Sequence, residues 1–265
     1  MRKDFMDAKD DHGTDETAFI ENYWTEVWKR QGGPKAETSN ISKKDEYKVI
    51  APYVAQLPGG ARILDGGCGL GDWTAFFTDQ DFDCVGLDLS RETVAKLHDI
   101  FPEVTFKSGD IRNTEFEDNS FDAYFSWGVF EHFEHGMRPC IDEAYRVLKP
   151  GGYLFISVPY DNLRHALRAA ADWSERKDAD RHDRRFYQWR FTKGELRDEI
   201  SAGGFEVQKV STIHKRQGVL RSLHHEFSLN YEWFLTRGMS LVLSPILPGG
   251  LMGHMILAVA KKPAK

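Results

Sequence analysis

The sequence predicts an α/β protein: an open, mostly parallel sheet with helices on both faces. Three observations predict it. Apolar runs of strand length alternate with segments of helical period across residues 61–213. The first run passes through a glycine-rich loop, Asp65-Gly66-Gly67-Cys68-Gly69-Leu70-Gly71, directly into a helical segment. The chain has 265 residues, 41% apolar and 29% charged, enough for one large domain with a sizeable core.

The elements follow in order. The first dozen residues are mostly charged and predict a mobile segment. Phe19, Ile20, Tyr23, Trp24, Val27 and Trp28 recur at helical spacing, with Thr14 or Asp15 as cap and Gly32-Gly33-Pro34 as stop. A second helix runs from near Ser42 to Leu57 and ends at Pro58-Gly59-Gly60. Strands are predicted at 61–65, 84–89, 104–107, 121–127, 153–158, 205–213 and 255–260. Helices are predicted at 72–79, from Ser90, and over Ile141, Ala144, Tyr145 and Leu148. Thr192 and Glu195 form a capping box for another, which stops at Gly203-Gly204. Residues 160–191 and 214–254 break the rhythm and read as insertions.

Composition narrows the function classes. The net charge of −6 argues against a generic nucleic-acid-binding surface. The three cysteines, Cys68, Cys84 and Cys140, are unclustered and odd in number, which fits a reducing compartment. With no apolar run at the N-terminus, a cytoplasmic location is expected. No Asp, Glu, Lys or Arg occurs between Arg237 and Lys261. The prolines and glycines of that stretch, and its strand-like end, argue against a spanning helix.

Open sheets of this kind bind ligands beyond the carboxyl ends of the strands. The loop there reads G-x-G-x-G from Gly67, not the dinucleotide pattern G-x-G-x-x-G. An acid, Asp65, stands just before it and would repel a pyrophosphate. Asp88, ending the second strand, suits two ribose hydroxyls. Asp110, after the third, suits an adenine amino group. These positions describe a nucleoside with a small carboxylate and net positive charge, a description that S-adenosylmethionine fits.

With these motifs in order, the sequence resembles the class I S-adenosylmethionine-dependent methyltransferases. The matching motifs are the Asp65–Gly71 loop, Asp88, Gly109-Asp110, FDAYFSWGVFEHF (121–133) and AYRVLKPGGYLFISVP (144–159). The last run is similar to the small-molecule branch that includes the ubiquinone-biosynthesis type. The resemblance covers roughly residues 40–213 and the last strand. It implies a Rossmann-like three-layer sandwich, with a seven-stranded sheet whose last strand runs antiparallel. It implies S-adenosyl-L-methionine as cofactor and S-adenosyl-L-homocysteine as product. Gly67, Cys68 and Gly69 would approach the methionine portion, and Asp65 would orient its ammonium. Asp88 with Leu89 would bind the ribose. Asp110 and Ile111 would flank the adenine, and Trp127 would line the pocket near the sulfonium. An N-terminal helix lids the site in related enzymes, which brings Tyr23 to the cofactor and Trp24 to the cofactor or acceptor side; core packing is the alternative for this face. The implied division is an N-terminal segment and lid helix over residues 1–40 and a methyltransferase domain over 41–265.

In-line displacement at a sulfonium methyl needs alignment, water exclusion and management of one proton. His132, just past the fourth strand, is the first candidate base, with Glu131 and Tyr160 next. His132 and His135 lack further ligands nearby, so no metal is expected. The first insertion is rich in arginine (Arg164, Arg168, Arg176, Arg181, Arg185) and aromatics (Trp173, Phe186, Tyr187, Trp189). Arg164 and Arg185 are the candidates for an anionic group on the acceptor. The second insertion passes from basic to apolar and reads as a helix pair on the sheet or at a dimer interface, with lipid contact as the alternative. The VPYDNLR entry and this apolar tail resemble methyltransferases of bacterial surface glycans and lipid-linked intermediates. The expectation is methyl transfer to an oxygen or nitrogen of a small, anionic or sugar-like acceptor, by a monomer or homodimer, with no nucleic acid. Carbon methylation of a quinone or polyketide-like acceptor, and a cofactor-binding regulator without turnover, are the alternatives.

Overall fold

The computed structural model describes residues 1–7, 15–35, 40–165 and 184–264. Nine strands are β1 (Arg2–Asp7), β2 (Arg62–Gly66), β3 (Asp83–Asp88), β4 (Thr105–Ser108), β5 (Phe121–Trp127), β6 (Leu148–Pro159), β7 (Arg184–Arg190), β8 (Glu206–Ile213) and β9 (Met255–Lys261) among the described residues. The helices are α1 (Glu16–Arg30), α2 (Asp45–Val54), α3 (Asp72–Thr78), α4 (Arg91–Ile100), α5 (Arg138–Val147), α6 (Lys193–Ala202), α7 (Lys215–Phe227), α8 (Phe234–Ile246) and α9 (Gly249–Met252). Several begin where side chains predict. Asp15 accepts from the Thr17 N–H to start α1, and Thr192 and Glu195 close the capping box of α6.

Seven strands form one sheet in the order β4-β3-β2-β5-β6-β9-β8. β9 is antiparallel to both β6 and β8, and the other neighbouring pairs are parallel. Strand alternation sorts side chains to two cores. On β6 and β9, Leu154, Ile156, Ile256 and Ala258 face one core. Tyr153, Phe155, Leu257 and Val259 face the other, against α2 and α3. Burial on both sides explains why these strands read as continuous apolar runs. The register aligns the carboxyl ends of the central strands: Asp65 lies beside Gly86 and Phe125, and Asp88 beside Ser108. Asp65, Asp88 and Trp127 are thereby brought to one edge.

One sequence expectation changes. Residues 2–7 are not a mobile segment: β1 pairs antiparallel with β7, Arg2 opposite Arg190 and Met6 opposite Arg185. Its charges are paired, since the Asp4 carboxylate accepts from Arg190 Nε at 2.6 Å and Gln188 Nε2 at 3.0 Å. The first insertion ends as this ribbon, while Arg168, Trp173, Arg176 and Arg181 lie outside the described residues. The second insertion is a helix pair, α7 against α8, followed by α9. Among the described residues, no helix is long and apolar enough to cross a membrane.

Candidate active site

The glycine loop is fixed by the strand beside it. The N–H groups of Gly67 and Cys68 both donate to the Leu87 carbonyl, at 2.7 and 3.0 Å. The Asp88 carboxylate then accepts from the Gly69 N–H at 2.8 Å and the Ser90 N–H at 2.9 Å. Gly67 has φ +81°, and a Cβ there would fall inside the Val129 side chain. A Cβ on Gly69, at φ +51°, would lie 2.9 Å from the Trp28 ring. The loop is thus shaped by close approach on both sides, and α3 leaves it at Asp72.

Above this loop lies a cavity of about 370 Å³. Asp65, Gly67, Cys68, Gly69, Asp88, Leu89, Asp110, Ile111, Trp127, Trp24 and His132 all line it. The residues singled out in the sequence at these positions thus share one cavity. Its electrostatics are one-sided: Glu21, Glu46, Asp65, Asp72, Asp88 and Asp110 face a single lysine, Lys44. Asp65 is 1% exposed and accepts from Thr74 Oγ1 at 2.6 Å. Burial pushes its carboxyl up to about 7, against the pull of Thr74, and the nearby Asp88 charge adds to the rise. Burial also raises Asp88, with the Ser90 and Gly69 N–H groups pulling back. A cavity of this kind favours a cation and opposes a pyrophosphate. An adenosine carrying a sulfonium, an ammonium and one carboxylate fits this donor set.

Helix α1 forms the roof. Ile20, Glu21, Trp24, Trp28 and Gln31 line the cavity, at the i, i+4, i+8 spacing of one helix face. Trp24 and Trp28 stack at 5.1 Å between ring centroids. Thr25 hydrogen-bonds Ser90 at 2.6 Å. Arg112 ties the helix to the Asp110 end of the cavity: it bonds Glu16 at 2.6 Å, Thr17 Oγ1 at 2.7 Å and both Asp110 oxygens. Asp110 therefore lines the cavity with its carboxylate already engaged.

Tyr23 is corrected. It does not line this cavity, because it stands one residue round the helix from Trp24. It faces a smaller pocket of about 40 Å³ with Phe19, Glu134, Arg185, Phe186 and Tyr187. Trp24 and His132 line both cavities and form the wall between them. Trp28, Glu21, Ser90 and Lys44 were missed as site residues. Helical periodicity marks Trp28, one turn beyond Trp24; nothing in the local sequence marks Lys44.

His132 is 7% exposed, and its Nδ1 stands 2.8 Å from the Tyr187 carbonyl oxygen. A carbonyl only accepts, so Nδ1 carries the proton and Nε2 is the basic nitrogen. Burial pushes the imidazole down to about 4, against the Tyr187 and Gly128 carbonyls, so it is neutral at pH 7. Glu131 and Tyr160 are corrected as candidate bases, because neither lines either cavity. Glu131 lies on the Nε2 side of His132, its Oε1 4.0 Å from Nε2 and beyond hydrogen-bond reach, and burial pushes its carboxyl up to about 8. Tyr160 bridges to Phe191 and packs on the core. Arg164 is also corrected: it is buried and bonds Glu226 of α7 at 3.0 Å, away from both cavities. Arg185 does line the smaller pocket, with its guanidinium 4.0 Å from the Phe19 ring centroid. Cys68 is held as a thiol, its pKa driven well up by burial and by Asp88 and Asp65.

Fold and site together describe a class: a Rossmann-like sheet whose acid-lined cavity suits a cationic nucleoside better than a dinucleotide. The chain is similar to S-adenosylmethionine-dependent methyltransferases over its central region. Residues 63–152 match the family described as a methyltransferase domain. A phthiotriol/phenolphthiotriol dimycocerosates methyltransferase 1 of Mycobacterium ulcerans is 28% identical over 259 residues, covering 94% of this chain and 85% of its own. The Mycobacterium tuberculosis enzyme of that name is 33% identical over 168 residues, covering 60% and 58%. The chain spans 63% of a Mycolicibacterium smegmatis relative and 28% of an Arabidopsis thaliana one. In fold, it is similar to a solved [4+2]-cyclase, SpnF, at 20% identity and a TM-score of 0.58 over the whole of both chains.

Proposed function

We propose that this protein transfers the methyl group of S-adenosylmethionine to an oxygen or nitrogen of a small acceptor seated between α1 and β7. The observation that carries this reading is His132, a neutral imidazole forming the wall between an acid-lined cavity and an aromatic pocket. The bound cofactor would supply an electrophilic methyl carbon; the chain supplies position, dryness and a proton acceptor. Asp88 keeps one lone-pair direction on each oxygen for a ribose hydroxyl after its two backbone bonds. Asp65 pairs with the ammonium. Trp24, Trp28 and Trp127 exclude water. His132 Nε2 takes the acceptor's proton, and the Tyr187 carbonyl positions the imidazole through Nδ1. Arg185 at the smaller pocket favours an anionic or oxygen-rich acceptor. The triols in the names of the mycobacterial relatives are consistent with a hydroxyl acceptor.

One observation favours a second reading. An imidazole at about 4 is a weak base, which suits an electron-rich ring carbon needing little help. A 2-methyl-6-phytyl-1,4-hydroquinone methyltransferase of Synechocystis is 28% identical over 172 residues. Methyl transfer from labelled cofactor to panels of alcohols, amines and hydroquinones separates the two. With a hydroxyl or amine acceptor, His132→Asn should lower kcat about 100-fold or more while leaving cofactor affinity within a few-fold. An unchanged kcat would remove the base role. Bound cofactor with no product from any panel would favour a regulator.

A further inference from the structure

Helix α8 is built inside out. The residues it turns inward are small and polar: Thr236 and Ser240 are fully buried. The residues it turns outward are large and apolar, with Phe234 73%, Val242 64% and Ile246 72% exposed. Leu235, Met239 and Leu241 are exposed beside them. At 3.6 residues per turn these side chains sweep an arc of roughly 160°. Burial of that face in the protein is the ordinary outcome for such residues, and here the described residues leave it exposed.

Charge surrounds the apolar arc. Lys215 Nζ donates to the Pro245 carbonyl at 3.4 Å, and Arg216 Nε to Ser240 Oγ at 3.2 Å, so α7 lays two cations along α8. Arg237 stands at the arc's edge, 57% exposed, beside Glu232. Residues 214–254 carry four Lys/Arg and two Asp/Glu, a surplus of two positive charges in a chain of net −6. Trp233 lies exposed at the helix entry, an amphipathic side chain suited to an interface. A two-fold pairing of this face with a second copy would set like charges against each other. A negatively charged, apolar-cored surface complements it.

We propose that α8 docks on an anionic lipid surface, lying in the plane of the headgroups with its outward arc among the acyl chains. The rim cations meet the lipid phosphates, and no described helix is long enough to do more than lie there.

The test is flotation of the full chain with vesicles of phosphatidylcholine alone or mixed with phosphatidylglycerol. Binding is expected only to the mixed vesicles, and weaker at high salt. Val242→Glu with Ile246→Glu should weaken it about 100-fold. Both side chains are exposed, so circular dichroism and cofactor affinity should not move. Arg237→Glu should weaken binding to mixed vesicles only. No binding by the wild type, or binding indifferent to the double variant, would overturn the proposal. So would a concentration-dependent dimer that the double variant abolishes without vesicle binding, since that would make the face a self-association surface.

Discussion

The His132 imidazole is held from the strand ribbon: its Nδ1 lies 2.8 Å from the carbonyl oxygen of Tyr187 in β7. The N-terminal strand pairs with β7, so residues 2–7 buttress a candidate active-site group more than 120 positions away. Deleting residues 1–7 should therefore lower kcat more than it raises the KM for the cofactor. Steady-state kinetics on the truncated chain checks this; equal kcat would separate the ribbon from the chemistry.

A pH profile should divide between two groups. Asp65, at about 7 in the free protein, must be ionised to hold a cation, so kcat/KM for the cofactor should fall as pH drops below 7. His132, at about 4, stays neutral across that range, so kcat should be flat from pH 8 to 6. Rates in both regimes between pH 5 and 9 test the split. A limb in kcat near 7 would count against it.

Asp65→Asn should trade binding for stability. The folded pKa lies above the ordinary 3.8, so Asp65's contribution to stability is full below 3.8 and lost as pH rises through about 7. At pH 8 the buried carboxylate is a cost. The amide, still accepting from Thr74, should stabilise the ligand-free protein by about 2 kcal/mol. It should weaken cofactor binding at least about tenfold. Chemical denaturation and calorimetry at pH 8 measure both effects.

Gly67→Ala combines a positive φ with a Cβ placed in Val129, and should cost about 2–4 kcal/mol. Val129→Ala in the same chain should recover part of this, because it removes the clash but not the backbone strain. Equal midpoints for the single and double variants would show that Val129 is not the obstacle.

Arg112→Ala cuts the tie between α1 and Asp110. The roof helix should become more susceptible to limited proteolysis, and cofactor dissociation should quicken about tenfold. Unchanged cleavage of α1 would mean that the Thr25–Ser90 contact and the tryptophans suffice to hold it.

Much of the site was legible because it rests on local signals. The Asp65–Gly71 loop, Asp88 and Gly109-Asp110 stand at strand ends that periodicity locates, and parallel register carries them to one edge. What was not legible depends on distant pairing. The β1–β7 ribbon joins segments about 180 residues apart, beyond any local pattern. Glu131 and His132 are adjacent in a 3₁₀ turn, Phe130–His132, whose successive side chains diverge by about 120°. Only one of the two can face the cavity. Helical spacing put Tyr23 and Trp24 on a common apolar face, yet only Trp24 reaches the larger cavity, while Tyr23 packs against Tyr187 of β7. The second insertion was legible as a helix pair, but which side of α8 faces outward is decided by its contacts with α7.

The most direct test of the acid-lined cavity is calorimetric titration of the folded chain with S-adenosylmethionine, S-adenosylhomocysteine and NAD. Asp88→Asn is the control, since it keeps an acceptor for one of the two backbone N–H groups that Asp88 holds. Binding of the first two, none of NAD, and a marked loss in Asp88→Asn are the predicted results. Binding of NAD in their place, or of none of the three by protein shown to be folded, would contradict the account.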